Sequence, residues 1–173
     1  MIIGIDGNEA NTENRVGIGQ FAFNVLFNIE KIDKDNHFLI YLKDNPCSDF
    51  PQEREGWKYI VFGPKKYWTQ FALPLKLLTQ KEKLNVFFSP SHYAPRFSLF
   101  PTVVSIMDLW HHRHPEQFTG KDLYQLTNWE KYSVRNARKI ITISEFSKKE
   151  IIDVYGVPED KVVVAYPGFT KSE

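Results

Sequence analysis

Polar and aromatic side chains follow three short apolar runs of this 173-residue chain, at the points where the runs end. The runs are Val86–Phe88, Thr102–Ile106 and Ile140–Ile143. In open α/β sheets, ligands bind outside the carboxyl ends of the strands. We therefore expect the segments after these runs to converge on one edge of a sheet and to line a cleft there. The candidate cleft residues are Ser89, His92, Tyr93, Met107, Asp108, Ser144, Glu145 and Phe146.

A glycine loop, Gly17-Ile18-Gly19, precedes a helical pattern near the N-terminus. Backbone N–H groups and the helix dipole at such a helix start attract anions, which makes the loop a candidate phosphate site. The series Gly17-x-Gly19-x-x-Ala22 also matches the dinucleotide fingerprint, with Asp44 as a ribose ligand. In that fingerprint the glycines follow the first strand almost directly, whereas here the polar loop Asn8–Arg15 intervenes. This spacing argues against a dinucleotide site, and a plain tight turn remains the alternative to a phosphate loop.

A group of histidines raises the question of a metal site. His111, His112 and His114 lie close together in the sequence, and His92 is a conceivable fourth ligand. Adjacent histidines do not readily face one ion, and no cysteine or i,i+4 histidine pair accompanies them. We therefore predict a polar loop without a metal ion.

Seven apolar runs alternate with helical patterns, which predicts a parallel sheet flanked by helices, a Rossmann-like α/β domain. Ser144 is placed to cap a helix that reaches Tyr155 and stops at Gly156. The capping box Thr119-x-x-Asp122 starts another helix that ends near Asn136. The predicted strands are Ile2–Ile5, Phe38–Leu42, Tyr59–Phe62, Val86–Phe88, Thr102–Ile106, Ile140–Ile143 and Val162–Ala165.

A basic and aromatic stretch, Lys65–Trp68, leads into apolar residues at helical spacing. Pro74 interrupts this pattern, so two short helices should meet there. Such a helix could rest on a membrane surface. We favour core packing with a solvated lysine rim, which is the commoner origin of such a stripe. The apolar residues of the stripe are Phe71, Ala72, Leu75 and Leu78.

Composition limits the classes of partner and compartment. The formal net charge of +1 gives no electrostatic reason to expect nucleic acid. Cys47 is the single cysteine, which excludes an internal disulfide and favours a reducing cytoplasm. The start Met1–Asp6 lacks the features of a signal peptide, and no apolar run reaches the roughly 18 residues of a membrane span.

The stretch Lys139–Gly168 resembles the end of the N-terminal domain in GT4-type retaining glycosyltransferases, also called glycosyl transferase group 1, which have the two-domain GT-B fold. There, a strand ending in T-x-S-x-F-S leads into a helix, a G-V-P-x-x-K turn and a V-V-x-x-P-x-G strand. The G-I-G loop, the S-P-x-H-x-A-P segment and the V-V-S-I-x-D-L segment extend the resemblance over nearly the whole chain, most weakly at Asp44–Trp57. In the family, a histidine usually precedes the aspartate of this segment and approaches the transferred sugar. Met107 occupies that position before Asp108 here, so the role of the histidine is not carried over to this chain.

The resemblance implies that residues 1–168 form the N-terminal, acceptor-side domain. Residues 169–173 would then begin the linker to a missing C-terminal, donor-binding domain, and this chain alone should be inactive. The family transfers a sugar from a nucleoside-diphosphate sugar, here to a glycan or lipid-linked glycan, without a metal ion or other cofactor. Its glycine loop lies near the donor phosphates. These implications place the protein in the cytoplasm, with contact at the inner face of the membrane left open.

Two other classes of function remain as alternatives. One is a nucleotide- or dinucleotide-binding Rossmann domain of an oxidoreductase, which would need its glycines close behind the first strand. The other is a non-catalytic carbohydrate-binding module, which would leave the glycine loop and Asp108 without a role.

Overall fold

Seven parallel strands form a single sheet in the computed structural model, which describes residues 1–168. The predicted linker start at 169–173 lies outside the described residues. The strand order is β3-β2-β1-β4-β5-β6-β7, which confirms the predicted Rossmann-like sheet. The strands are β1 Ile2–Asp6, β2 His37–Leu42, β3 Trp57–Val61, β4 Val86–Ser89, β5 Thr102–Ser105, β6 Lys139–Thr142 and β7 Val162–Val164.

Helices cover the sheet, and loops without a helix connect β2 to β3 and β4 to β5. The helices are α1 Ile18–Ile32, α2 Leu73–Thr79, α3 Trp110–Arg113, α4 Gly120–Asn136 and α5 Glu145–Tyr155. A π-helical turn, Trp68–Ala72, runs directly into α2, so two short helical segments meet near Pro74 as predicted. Within residues 1–168, no helix combines the length and the apolar character that crossing a bilayer requires.

The predicted helix caps are present. The Ser144 hydroxyl accepts a hydrogen bond from the Ser147 amide at 3.0 Å and starts α5, and Gly156 ends that helix with a φ of 64°. The Thr119 hydroxyl accepts from the Asp122 amide at 3.2 Å and starts α4. These local bonds fix where each helix begins, and therefore which side chains stand at the sheet edge.

The chain reverses its direction across the sheet between β1 and β4. It runs outward from β1 to β2 and β3, returns to place β4 beside β1, and then runs outward the other way through β7. The loops after β1 and β4 therefore diverge and leave a crevice at the carboxyl edge. Because all strands are parallel, the segments after β1, β4, β5 and β6 leave at this same edge, as the sequence predicted.

The stripe before and within α2 differs from the favoured prediction. The buried face consists of Trp68, Ala72, Leu73 and Leu77, which pack under the sheet. The side chains of Phe71, Leu75 and Leu78 instead point outward and are 69%, 63% and 49% exposed. The interpretation of these three as core residues was wrong, because the narrow buried face is filled by their neighbours.

Candidate active site

Asp6 lies at the crevice, at the carboxyl end of the central strand β1, and sequence reasoning missed it. Its side chain is buried, and its Oδ1 accepts hydrogen bonds from the Asn8 amide at 3.1 Å and from Asn8 Nδ2 at 2.8 Å. Burial raises the pKa of Asp6 to about 6, although the Asn8 hydrogen bonds oppose the shift. The sequence did contain a signal for Asp6, because an acidic residue at the end of a strand buried on both faces is unusual.

The loop after β4 forms the opposite wall of the crevice and is held from within. The Ser89 hydroxyl is fully buried and donates to the Tyr93 carbonyl at 2.8 Å. The Ala94 amide donates to Ser133 Oγ on α4 at 2.8 Å. Ser89 therefore shapes the loop, which leaves His92 and Tyr93 as its half-buried members.

Glu130 is a fully buried carboxylate that reaches this loop from α4. Its Oε2 lies 2.9 Å from His92 Nδ1, an ion-pair contact that is not aligned as an ideal hydrogen bond. Its Oε1 accepts a hydrogen bond from the Tyr155 hydroxyl of α5 at 2.6 Å. A buried charge needs such partners to offset its desolvation. Sequence reasoning missed Glu130, because a glutamate within a helix carries no signal of burial.

The charges around His92 favour its protonated form. Burial by itself lowers the pKa of His92, but the contact with Glu130 and the negative charges of Glu130, Asp108 and Glu9 outweigh it, so the net shift is upward. Burial lowers the pKa of the neighbouring His111. Burial also raises the pKa of Tyr93 to about 12, so that phenol stays neutral.

The histidines do not form the set considered from the sequence. His114 stacks on Trp110 and contacts Glu116 at 3.2 Å, away from the others. The ligand atoms of His111, His112 and Glu130 lie within 4.8 Å of one another, so the argument that adjacent histidines cannot face one point was wrong. Both Glu130 oxygens already contact Tyr155 and His92, which is the arrangement of a hydrogen-bonded network. The absence of a metal ion from the reaction stays a prediction.

The segments after β5 and β6 supply the remaining candidates. Met107 is nearly buried, whereas Asp108 is exposed and its Oδ1 accepts from the Trp110 amide at 2.9 Å. Glu145 and Phe146 are exposed at the start of α5. Exposed aromatic rings follow three neighbouring strands at this edge, those of Trp110, Phe146 and Tyr166. The missing second domain that the resemblance implies would leave Phe169 uncovered as well, and that residue lies outside the described residues.

The glycine loop sits at the start of α1, at the same edge. Gly17 caps the helix with a φ of 49°, a conformation that favours glycine. The Gly19 amide donates to the Val16 carbonyl at 3.0 Å. Among the described residues, the Ile18 and Gln20 amides have no acceptor and are free to meet a ligand. A Cβ on Gly19 would lie 3.0 Å from the Glu9 carbonyl oxygen, so a larger residue here would need the backbone of the β1 loop to shift.

The dinucleotide alternative has the wrong spacing in the structure too. β1 ends at Asp6 and α1 begins at Ile18, so a long loop separates the strand from the helix. Asp44, the residue proposed to hold a ribose, forms an ion pair with Lys65 instead. Neither observation fits the tight turn of a dinucleotide fingerprint.

Comparison with known proteins decides the family. The model described as "Glycosyltransferase Family 4" matches residues 34–172, most of the chain. The chain belongs to glycosyltransferase family 4. Its fold is similar to that of a sucrose-phosphate synthase from Thermosynechococcus elongatus, with a TM-score of 0.61 and 12% sequence identity over 97% of this chain and 48% of that one. No match was found among curated proteins.

The match to the family includes some segments of the candidate cleft and leaves out others. The chain spans about half the length of the matched synthase structure, and its sheet and helices correspond to the N-terminal GT-B half. The segment matched to glycosyltransferase family 4 includes the loops after β4, β5 and β6. It begins after the glycine loop, so the role of Gly17-Ile18-Gly19 rests on the motif resemblance and on the free amides.

Replacing Asp6 with asparagine should stabilise the protein at pH 8 and change little near pH 4. Between the ordinary pKa of 3.8 and the folded-state value of about 6, the unfolded chain loses its proton first, so wild-type stability falls as pH rises through this window. Asparagine can still accept both Asn8 hydrogen bonds but carries no charge. We expect a gain of about 1–3 kcal/mol at pH 8, since one pKa unit corresponds to about 1.4 kcal/mol.

Urea unfolding of both proteins at pH 4 and pH 8 measures this effect. Asp153→Asn, on the exposed side of α5, is the matched control and should change stability little at either pH. Equal stabilities of Asp6→Asn and wild type at pH 8 would show that burial of the Asp6 carboxylate does not lower the free energy of unfolding.

Proposed function

We propose that this chain is the acceptor-side half of a retaining, hexosyltransferase-like enzyme that acts in polysaccharide assembly. Its donor would be a nucleoside-diphosphate sugar, and its acceptor a hydroxyl group of a glycan or lipid-linked glycan. Membership of glycosyltransferase family 4 supports the reaction class. The crevice between the β1 and β4 loops supports the position of the site, because it lies at the reversal point of the sheet.

The observation that carries the acceptor assignment is the chemistry of the crevice. The charges that act on His92 are the carboxylates of Glu130, Asp108 and Glu9. The carboxylates of Asp108 and Glu9 are exposed and can accept hydrogen bonds from sugar hydroxyl groups, and all three carboxylates repel a diphosphate. Exposed rings such as Trp110 offer apolar faces beside them. This half of the cleft therefore suits a neutral, hydroxyl-rich ligand.

The donor would meet this chain chiefly at the start of α1. The free amides of Ile18 and Gln20 would donate to its phosphate oxygens, where the helix dipole favours negative charge. The bond between the sugar and the phosphate breaks as the acceptor oxygen bonds to the sugar, and the leaving phosphate takes the acceptor's proton. No metal ion or cofactor is part of this proposal. The chain's contribution is to position the reactants and exclude water.

The isolated 173 residues should transfer no sugar, because the proposal assigns most donor contacts to a second domain that follows residue 168. The assay follows release of nucleoside diphosphate from UDP-, GDP- and ADP-sugars with a panel of oligosaccharide acceptors. A longer protein that includes the donor-binding domain is the positive control. Turnover by the isolated chain above the enzyme-free rate would falsify this division of labour.

Ile18→Pro should weaken donor use without unfolding the protein. Ile18 is the first residue of α1, where proline is well tolerated, and the substitution removes one free amide. We expect the donor KM of the longer enzyme to rise about tenfold, the equivalent of one hydrogen bond to a charged group. Gly120→Pro, at the first residue of α4, is the matched control and should leave the donor KM unchanged. A thermal melt confirms folding of both variants, and an unchanged donor KM in Ile18→Pro removes the loop from the site.

We further propose that the outward stripe of residues 67–78, along the π-helical turn and α2, docks on an anionic membrane. The stripe consists of Tyr67, Phe71, Leu75 and Leu78, all about half exposed or more. The segment 65–83 around it contains five lysines and one acidic residue, Glu82, which suits a negatively charged lipid surface. This contact would place the protein at the inner, cytoplasmic face of the membrane, beside a lipid-linked acceptor.

A neighbouring loop enlarges the stripe. The Arg96 guanidinium donates to Gln70 Oε1 at 2.9 Å and ties this loop to the π-helical turn. Phe97 and Leu99 of this loop are each 73% exposed. Exposed apolar side chains on linked segments suit an interaction site.

Vesicle sedimentation tests the membrane contact. The protein should pellet with vesicles that contain phosphatidylglycerol and stay in solution with phosphatidylcholine alone. Phe71→Asp with Leu75→Asp should lower the bound fraction at least fivefold, because both apolar contact and charge attraction are lost. Val154→Asp, at an exposed apolar position of α5, is the control and should bind like wild type. If the wild type stays in solution with both vesicles, or self-associates through the stripe in light scattering, the membrane proposal is wrong.

A further inference from the structure

Side chains from four segments of the fold meet around one buried carboxylate. Glu130 of α4 contacts His92 of the β4 loop at 2.9 Å and accepts from Tyr155 of α5 at 2.6 Å. His112 Nε2 of α3 lies 3.0 Å from the same Tyr155 hydroxyl, to which it can donate. The carboxylate thus joins a core of neighbouring helices to a single loop side chain at the cleft.

The two nitrogens of the His92 ring have different surroundings. Nδ1 is buried against Glu130, whereas Nε2 has no hydrogen-bond partner among residues 1–168 and belongs to a ring that is 19% exposed. The charged groups that face His92 are Glu130 from α4, Asp108 from the β5 segment and Glu9 from the β1 loop. His92 therefore stands between the segments that border the crevice, with one nitrogen anchored and the other open.

We propose that Glu130 is a positioning residue for His92, holding Nδ1 so that Nε2–H is presented across the crevice to a hydroxyl oxygen of the sugar acceptor. A carboxylate on Nδ1 fixes the orientation of the ring and favours a proton on both nitrogens. Nε2 is then a donor, complementary to the exposed carboxylates of Asp108 and Glu9, which accept from the same ligand's hydroxyl groups. This inference rests on the proposed transferase function.

A purely structural role for Glu130 predicts a different pattern. In that case its main task is to bind Tyr155 and join α4 to α5. Tyr155→Phe removes that hydrogen bond and leaves the contact with His92. The pair Glu130→Gln and Tyr155→Phe therefore separates positioning of the ring from stabilisation of the core, because each removes a different partner of the same network.

The experiment combines histidine NMR on this chain with kinetics on the longer transferase, both with a chelator present. Glu130→Gln should lower the pKa of His92, whose other charged neighbours are Asp108, Glu9 and the nearby His111. It should also raise the acceptor KM at least tenfold while the donor KM stays within twofold. Tyr155→Phe should lower the melting temperature and leave the acceptor KM within twofold. His92→Gln, which keeps an N–H donor, should retain more activity than His92→Ala.

Several results would overturn the inference. One is an acceptor KM that is unchanged in His92→Ala, a loop variant expected to fold even if Glu130→Gln does not. Another is an equal effect of Glu130→Gln and Tyr155→Phe on both melting temperature and acceptor KM, which would make Glu130 structural only. In either case an active wild-type enzyme leaves the proposed function standing. A longer protein that transfers no sugar, with a normal His92 response in NMR, would instead reject the proposed function.

Discussion

The parallel direction of all seven strands is the constraint on which this structure depends. A strand buried on both faces consists mainly of apolar residues, so charged residues collect where each strand ends. Parallel strands all end at one edge, and the reversal of order between β1 and β4 opens a crevice there. The site is therefore a consequence of strand direction, and the loops need only be long enough to reach it.

Two carboxylates at this edge are buried, and the groups that surround them differ. Among the described residues, the Asp6 carboxylate accepts hydrogen bonds from Asn8 alone, and burial raises its pKa. Glu130 is more deeply buried but is met by His92 and by the Tyr155 hydroxyl. An unpaired buried carboxylate is easily protonated, whereas a carboxylate that meets a histidine and a hydroxyl group can orient both partners. The crevice thus contains an isolated acid on the β1 side and an acid–histidine pair on the β4 side.

Packing explains the expectations that were wrong. The stripe of Phe71, Leu75 and Leu78 has the spacing of a core face, but its helical segment rests on the sheet through Trp68, Leu73 and Leu77. Periodicity reveals that a helix has apolar faces and does not reveal which face meets the sheet. The adjacent histidines likewise approach one carboxylate because α3 is a single turn placed against α4. The spacing of residues in the sequence does not show how two helices pack.

The sequence by itself determined the seven strands, the caps at Ser144, Thr119 and Gly156, and the family, because these depend on neighbours within a few residues along the chain. The loops that end at the carboxyl edge could be predicted for the same reason, once the strands were known to be parallel. Only the tertiary structure decided that Asp6 is buried, that Glu130 meets His92 across 38 positions of sequence, and that the Glu9 carbonyl approaches Gly19 closely. Burial and long-range contact are properties of how elements pack, and a single residue's identity or spacing does not encode them.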